Sequence, residues 1–274
     1  MLWHRETIPQ QQTIINFLKS QVDWNKITKQ KPKFIPNLRA NITIDHENIL
    51  KEIFELYREV EAISWRSVNS ISLYGLSLTY NPYQDREEWK QGSFGHSRYK
   101  QFSKSEYYKA VSNDKINHVK NDYLDSYGFT NILPQIYNKP HLLKLLTSFK
   151  LPVIRVTART LNGRLTFPTT ETNGGWHVDD SPHEVLRINI SLNNDGNFGL
   201  QYKGQDPIYT EAGNNIVVNT DIEHRAYIKS TTNLQRTNLI IGLAPYFHYE
   251  NDCWSVNDYF GNKHPYDLVV EHLI

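Results

Sequence analysis

The chain has 274 residues and a mass of 32.1 kDa, enough to bury a substantial core, and it is expected to fold as a single domain over 1–274. Thirty Lys and Arg against 29 Asp and Glu leave a formal charge of +1, which removes any overall electrostatic ground for nucleic-acid binding. The one cysteine, Cys253, excludes an intramolecular disulfide framework and a cysteine-built zinc site, and it points to a reducing compartment, the cytoplasm.

At the N-terminus, Met1 to Glu6 lacks the basic-then-apolar layout of a signal peptide, and no apolar run approaches the roughly 20 residues that a membrane span needs. Residues 1 to 40 hold one short amphipathic stretch, Thr13 to Leu18, followed by a Lys/Pro segment with Lys26, Lys29, Lys31 and Lys33. They are expected to wrap a surface without building a core. From Asp45 the spacing of Ile49, Ile53, Leu56 and Val60 predicts a helix capped by Asp45. Ile71 to Tyr80 reads as a strand ending at Asn81 and Pro82. The aromatic-rich segment 83–103, with Gly92 and Gly95, reads as an excursion or lid; helices are predicted over about 105–125 and from Pro140 to Phe149.

After Pro152 the pattern becomes one of short β-prone runs: Val153–Thr160, Val185–Leu192, Gly199–Tyr202, Asn215–Asn219, His224–Lys229 and Thr237–Leu243. Turn signals at Asn194 to Gly196, Gly204 to Pro207 and Ala212 to Asn214 separate them. This spacing predicts a sandwich or barrel over 151–245, covered on one outer face by a mainly helical part, 1–150, with the inner faces forming a pocket. The aromatic-rich tail 246–274 is expected to pack on that core.

Metal-ligand chemistry falls at the start of this β region. His177 and Asp179 are two residues apart, so on an extended backbone they share a face and can close on one ion. His224, between two β-prone runs, is the best third ligand. Two imidazoles and one carboxylate leave open positions, the arrangement that suits non-haem Fe(II) and its oxygen chemistry. Asp180 should point away from His177, and His183, after Pro182, belongs to a loop.

Two strands then offer arginines. Val185, Arg187, Asn189 and Ser191 share one face and Leu186, Ile188, Ile190 and Leu192 the other; Arg236 and Asn238 repeat the pattern against Thr237, Leu239 and Ile241. A guanidinium fork suits the far carboxylate of a dicarboxylate co-substrate. Arg155, Thr157 and Arg159 share a face of the strand leading in; they could bind a carboxylate of the prime substrate, although arginine is more often exposed. Trp176 is a candidate pocket wall.

His177-x-Asp179, then His224, then Arg236 twelve residues later resembles the Fe(II)- and 2-oxoglutarate-dependent dioxygenases. The run from His183 to Leu192 is more specifically similar to their aspartyl/asparaginyl β-hydroxylase-like branch, which includes proline hydroxylases. The resemblance spans residues 150–245. It implies a double-stranded β-helix of the jelly-roll, cupin-like kind, mainly β with a helical layer. It also implies His177, Asp179 and His224 as ligands to Fe(II), with 2-oxoglutarate held by Arg236 and Arg187 and flanked by Asn189 and Asn238, and O2 as the oxidant. The implied reaction is hydroxylation of an unactivated C–H bond of a small-molecule or peptidyl substrate, an amino acid or peptidyl residue, with release of succinate and CO2. Asp179 fills the position that a halide would need, which favours hydroxylation over halogenation. Arg155, Arg159 and Trp176 remain as substrate contacts. The rival from another class is a non-catalytic jelly-roll module that binds a peptide or carbohydrate. A cupin-type isomerase or hydrolase ranks lower, because no His-x-His with a following Glu is present.

Overall fold

Alternating side chains on two long strands set the architecture. The computed structural model describes residues 1–9, 12–30, 33–60, 63–66, 71–82, 126–164, 176–194, 196–229 and 233–271, so the expected excursion at 83–103 and helix at 105–125 lie outside the described residues. In chain order the elements are β1 (Leu2–His4), α1 (Ile14–Ser20), α2 (Asn25–Thr28), α3 (His46–Glu59), β2 (Ile63–Arg66), β3 (Ile71–Ser77), β4 (Thr79–Tyr80), β5 (Asn131–Ile132) and α4 (Pro140–Thr147). They continue with β6 (Val153–Arg164), β7 (Leu186–Asn194), β8 (Phe198–Tyr202), β9 (Ile208–Tyr209), β10 (Asn215–Val218), β11 (His224–Ile228), β12 (Asn233–Leu243), β13 (Phe247–Glu250), β14 (Cys253–Val256) and α5 (Pro265–Glu271).

Two of the sheets make the core. A large sheet runs β10-β7-β12-β6-β3-β2 and a small one β11-β8-β9, to which the His177 segment adds through a bridge to His224. Along the chain from β6 the segments alternate between sheets: β6 large, His177 small, β7 large, β8 and β9 small, β10 large, β11 small, β12 large. That winding of two antiparallel sheets into one coil is a double-stranded β-helix, mainly β, with helices on one side.

The outer face of the large sheet carries Val156, Ala158, Leu186, Ile188, Ile190, Leu192, Leu239, Ile241 and Leu243, all buried in one cluster with Ile49, Ile53 and Leu56 of α3 and Leu142, Leu145 and Leu146 of α4. Each such side chain contributes on the order of 1.5–3 kcal/mol by leaving water. Helix α3 forms because its apolar residues recur at helical spacing and the Asp45 side chain accepts from the Asn48 backbone N–H. The α4 N-terminus has Pro140 at its first turn and no cap from its own segment; the Glu52 carboxylate of α3 accepts from the His141 and Leu142 N–H groups at 3.1 and 2.7 Å.

One expectation is corrected. The first 40 residues do build a core: Trp3, Ile14, Leu18 and Ile27 are buried against Tyr246, Phe247 and Trp254 of the C-terminal part, and β1 pairs with β14. Most of the regular structure described in 1–150 is helical, and this part also lends β2 and β3 to the large sheet, β3 pairing antiparallel with β6 from Ile71↔Gly163 to Ser77↔Thr157.

Candidate metal centre

The inner face of the large sheet is polar, and its cross-strand register assembles the site in rows. Gly242 of β12 lies between Arg155 of β6 and Arg187 of β7; Ile240 lies between Thr157 and Asn189; Asn238 lies between Arg159 and Ser191. Arg236 follows on the same face. Opposite stands the small sheet, where His177 and His224 exchange backbone hydrogen bonds at 3.1 and 2.9 Å, and the Asp179 N–H donates to the Thr220 carbonyl at 3.2 Å. This pairing holds the segment extended, so His177 and Asp179 leave the same face as sequence spacing requires.

His177, Asp179 and His224 each offer one ligand atom, all within 4.8 Å of one another. The nearer Asp179 oxygen, Oδ2, is 3.5 Å from His224 Nε2 and 3.9 Å from His177 Nε2. His224 is buried, while His177 and Asp179 face the opening. The Nδ1 of His224 lies 2.8 Å from the Ile222 carbonyl, which can only accept, so Nδ1 carries the proton and Nε2 is left with its lone pair toward the cluster. Burial alone would raise the Asp179 carboxyl; its contacts with His224, His177 and the Arg187 guanidinium, which donates to it, outweigh it and hold the group well below the ordinary carboxylate range. The carboxylate is therefore ionised and ready to ligate.

Two cavities meet at this cluster. The first, about 240 Å³, is lined by the triad, Arg236, Asn238, Arg187, Asn189, Ser191 and Arg159, together with Phe198 of the small sheet. Desolvation pulls the Arg236 guanidinium down to about 10; it sits 5.6 Å above the Phe198 ring, and among the described residues no carboxylate pairs with it. Among the described residues, the side-chain oxygens of Asn189, Ser191 and Asn238 are buried without hydrogen-bond partners. A half-buried, desolvated cation and three unpartnered polar atoms are what a polar, anionic guest would satisfy. The second cavity, about 300 Å³, shares His177, Asp179, Arg159 and Arg187 and adds Arg155, Thr157, Asp180, Ser126 and Gly242.

The four residues expected around a co-substrate, Arg236, Arg187, Asn189 and Asn238, thus reach one cavity beside the triad, although Arg187 donates to Asp179, with Asp180 at 3.9 Å from its other nitrogen. Arg155 and Arg159 line the second cavity half-buried, against the commoner exposure of arginine. Trp176 lines neither cavity: one residue before His177 it turns to the opposite face, where Arg225 lies 4.4 Å from its ring centroid. His183 sits in a turn, as expected, but buried, its Nδ1 3.0 Å from the Tyr246 hydroxyl. Phe198 and Ser126 went unnoticed in the sequence because an isolated aromatic or serine carries no spacing signal.

No protein-family model matches this chain. No curated protein matches it either. Among solved structures it is similar to a 2OG-Fe(II) oxygenase-family oxidoreductase from Burkholderia pseudomallei, 12% identical, with 70% of this chain and 77% of that one covered at a TM-score of 0.34. It is also similar to SnoN, a non-heme alpha ketoglutarate-dependent epimerase from nogalamycin biosynthesis, at 10% identity, 73% and 72% coverage and a TM-score of 0.35. A cupin-2 domain protein from Shewanella frigidimarina is 17% identical over 34% of this chain and 78% of its own, with a TM-score of 0.22. Likeness at this level assigns no chemistry, which has to be read from the residues of this chain.

Proposed function

We propose that the protein is an Fe(II)- and 2-oxoglutarate-dependent oxygenase of the aspartyl/asparaginyl β-hydroxylase-like kind. The reading rests on one observation: three ligand atoms of His177, Asp179 and His224 within 4.8 Å, opening onto the same cavity as the desolvated Arg236. The donor set fits the ion, since two imidazoles and one ionised carboxylate leave open positions. With 2-oxoglutarate and O2, bound Fe(II) supplies an oxidative decarboxylation to succinate and CO2 that is coupled to hydroxylation of a substrate C–H bond.

The protein supplies position and charge. Arg236 offers its fork to the distal carboxylate of 2-oxoglutarate at the dry end of the first cavity, where a charge-assisted pair is strongest. Asn189, Ser191 and Asn238 offer polar atoms along its length. Arg187 holds the Asp179 carboxylate from behind and, lining both cavities, stands where the keto-acid end of the co-substrate would lie. The Ile222 carbonyl fixes the His224 tautomer. Asp179, by occupying a ligand position, favours oxygen over halide transfer. The acceptor is an amino acid or a peptidyl residue, and the single Cys253 suits the reducing cytoplasm.

Anaerobic addition of Fe(II) and 2-oxoglutarate tests this directly. The expected result is the weak visible charge-transfer band of a metal-chelated keto acid, followed in air by succinate release and a substrate gain of one oxygen by mass spectrometry. A jelly-roll binding module gives no band and consumes no 2-oxoglutarate.

A further inference from the structure

The segment that carries two of the metal ligands is also an edge of the small sheet. His177 directs both of its backbone groups to His224 of β11, so by antiparallel alternation the N–H and C=O groups of Trp176 and Val178 point the other way, out of the sheet. Among the described residues neither pair of groups has a hydrogen-bond partner. The two side chains are 37% and 57% exposed, so nothing bulky shields that backbone. Native edges are commonly blunted by charge, proline or a covering element, because unpaired groups in a row recruit another strand. This edge has an exposed tryptophan and valine instead.

The surroundings of the edge specify what pairs with it. On the outer face the bridge sets Trp176 across from Arg225 and Val178 across from Glu223. The Arg225 guanidinium reaches over the Trp176 ring, 4.4 Å from its centroid, while its Nε donates to the Gln201 side chain at 2.9 Å. Its terminal nitrogens are thereby carried toward the open edge, and among the described residues no carboxylate pairs with them. Glu223 is already paired with Lys203 at 2.5 Å. On the inner face the second cavity touches His177, Asp179 and Asp180 but no residue of β11, so it lies under the edge, with Thr157 and Ser126 adding to a polar lining.

We infer that the substrate is a peptide chain, which adds to the small sheet as an extended strand antiparallel to residues 176–179 and carries an acidic residue just after the residue that reacts. Strand addition continues the antiparallel order of the sheet and gives the free groups of Trp176 and Val178 their partners. The reacting residue lies opposite His177 and points inward, its Cβ about 4.5–5.5 Å from that of His177, so its side chain enters the second cavity beside the ligands. Antiparallel direction then sets its N-terminal neighbour against Val178, which suits an apolar residue, and its C-terminal neighbour against Trp176, where a carboxylate meets the Arg225 fork. The inference rests on the oxygenase reading for the word substrate and narrows it from amino acids in general to residues within a chain.

The test uses capped pentapeptides, Ac-Ala-Val-Xaa-Glu-Ala-NH2 with each of the twenty residues in turn at Xaa, titrated into full-length protein held anaerobic with Fe(II) and 2-oxoglutarate and followed by ligand-observed NMR. At least one is expected to bind at least tenfold more tightly than its reversed-order partner, Ac-Ala-Glu-Xaa-Val-Ala-NH2, which has the same composition. N-methylation of the Glu residue removes a bond to the edge and should weaken that peptide tenfold or more, whereas N-methylation of Xaa, whose N–H points away from the edge, should leave it within threefold. Arg225→Gln should weaken it threefold or more and leave the Gln-for-Glu peptide unchanged. No binding by any of the twenty, equal binding of the two orders, N-methylation that acts at Xaa and not at Glu, or indifference to Arg225→Gln each overturns the inference. Should Arg225→Gln not fold by circular dichroism, the order and N-methyl comparisons decide, since they leave the protein intact. The charge-transfer band, read in the same sample, separates the two readings: a band with no peptide bound sinks the strand-addition inference alone, and ordered peptide binding without a band sinks the oxygenase reading alone.

Discussion

Asp179 is the residue on which most of the chemistry converges, since it touches His177, His224 and Arg187 at once. Its substitution Asp179→Gly removes one of three ligands and leaves Arg187 facing only Asp180. Fe(II)-dependent succinate release is expected to fall to background and metal affinity, measured by competition with a chelator, by tenfold or more; full activity would show that Asp179 is not a ligand. Arg236→Met has a different signature. Losing a buried charge-assisted contact costs about 2–4 kcal/mol, so the KM for 2-oxoglutarate should rise by roughly 30- to 1000-fold, with the metal affinity unchanged. These placements were legible before the fold was known because they depend on short spacings: His177 and Asp179 share a face by strand alternation alone, and Arg236 and Asn238 do so for the same reason. What spacing did not foretell is that Asp180 lines a second cavity together with Gly242, sixty-two residues later.

At the level of elements, what could be read was periodicity and what could not was partnership. The apolar faces of α3, β7 and β12 were evident from spacing, and each lies where that face predicts, between helices and sheet. Nothing in Ile71–Ser77 says that it will pair with β6, or that Trp3 and Leu18 will meet Trp254 and Phe247, because sparse apolar residues in short segments show no period and find their partners far along the chain. The α4 cap is another such hidden contact. Glu52 of α3 is buried, and its two oxygens satisfy the His141 and Leu142 N–H groups. Glu52→Ala leaves those donors without a partner under the sheet, at a cost of about 1–3 kcal/mol. Chemical denaturation should show a lower midpoint with an unchanged slope, and the anaerobic charge-transfer band should survive, because α4 packs on the outer face and not at the site.

Across the molecule as a whole, the C-terminal helix α5 is tied to the metal centre through a buried polar relay. Tyr202, whose ring lies edge-on to His224 at 6.2 Å, accepts from the Asn219 N–H; Asn219 accepts from the Tyr266 hydroxyl at 2.7 Å; and the Tyr266 N–H donates to His264 Nδ1 at 3.2 Å at the start of α5. With Nδ1 accepting, the neutral ring of His264 carries its proton on Nε2, which is buried without a partner among the described residues. Burial first, and then the neighbouring His183 and Lys33, lower His264 from 6.5 to about 4, Asp267 opposing them; burial lowers His183 as well. The fold therefore holds His264 neutral, whereas the unfolded chain takes up a proton near pH 6.5. Stability linked to this group is fully present above that pH, declines as pH falls from 6.5 toward 4, and is lost below it, by no more than about 3 kcal/mol. Melting temperature should fall across that window in wild-type protein. His264→Asn keeps an acceptor for the Tyr266 N–H but cannot titrate, so its melting temperature should fall less over the same range. An equal fall in both proteins would place the acid sensitivity elsewhere. A smaller fall in the variant, with the charge-transfer band also retained to lower pH, would show that docking of α5 supports the His224 side of the site through Asn219 and Tyr202.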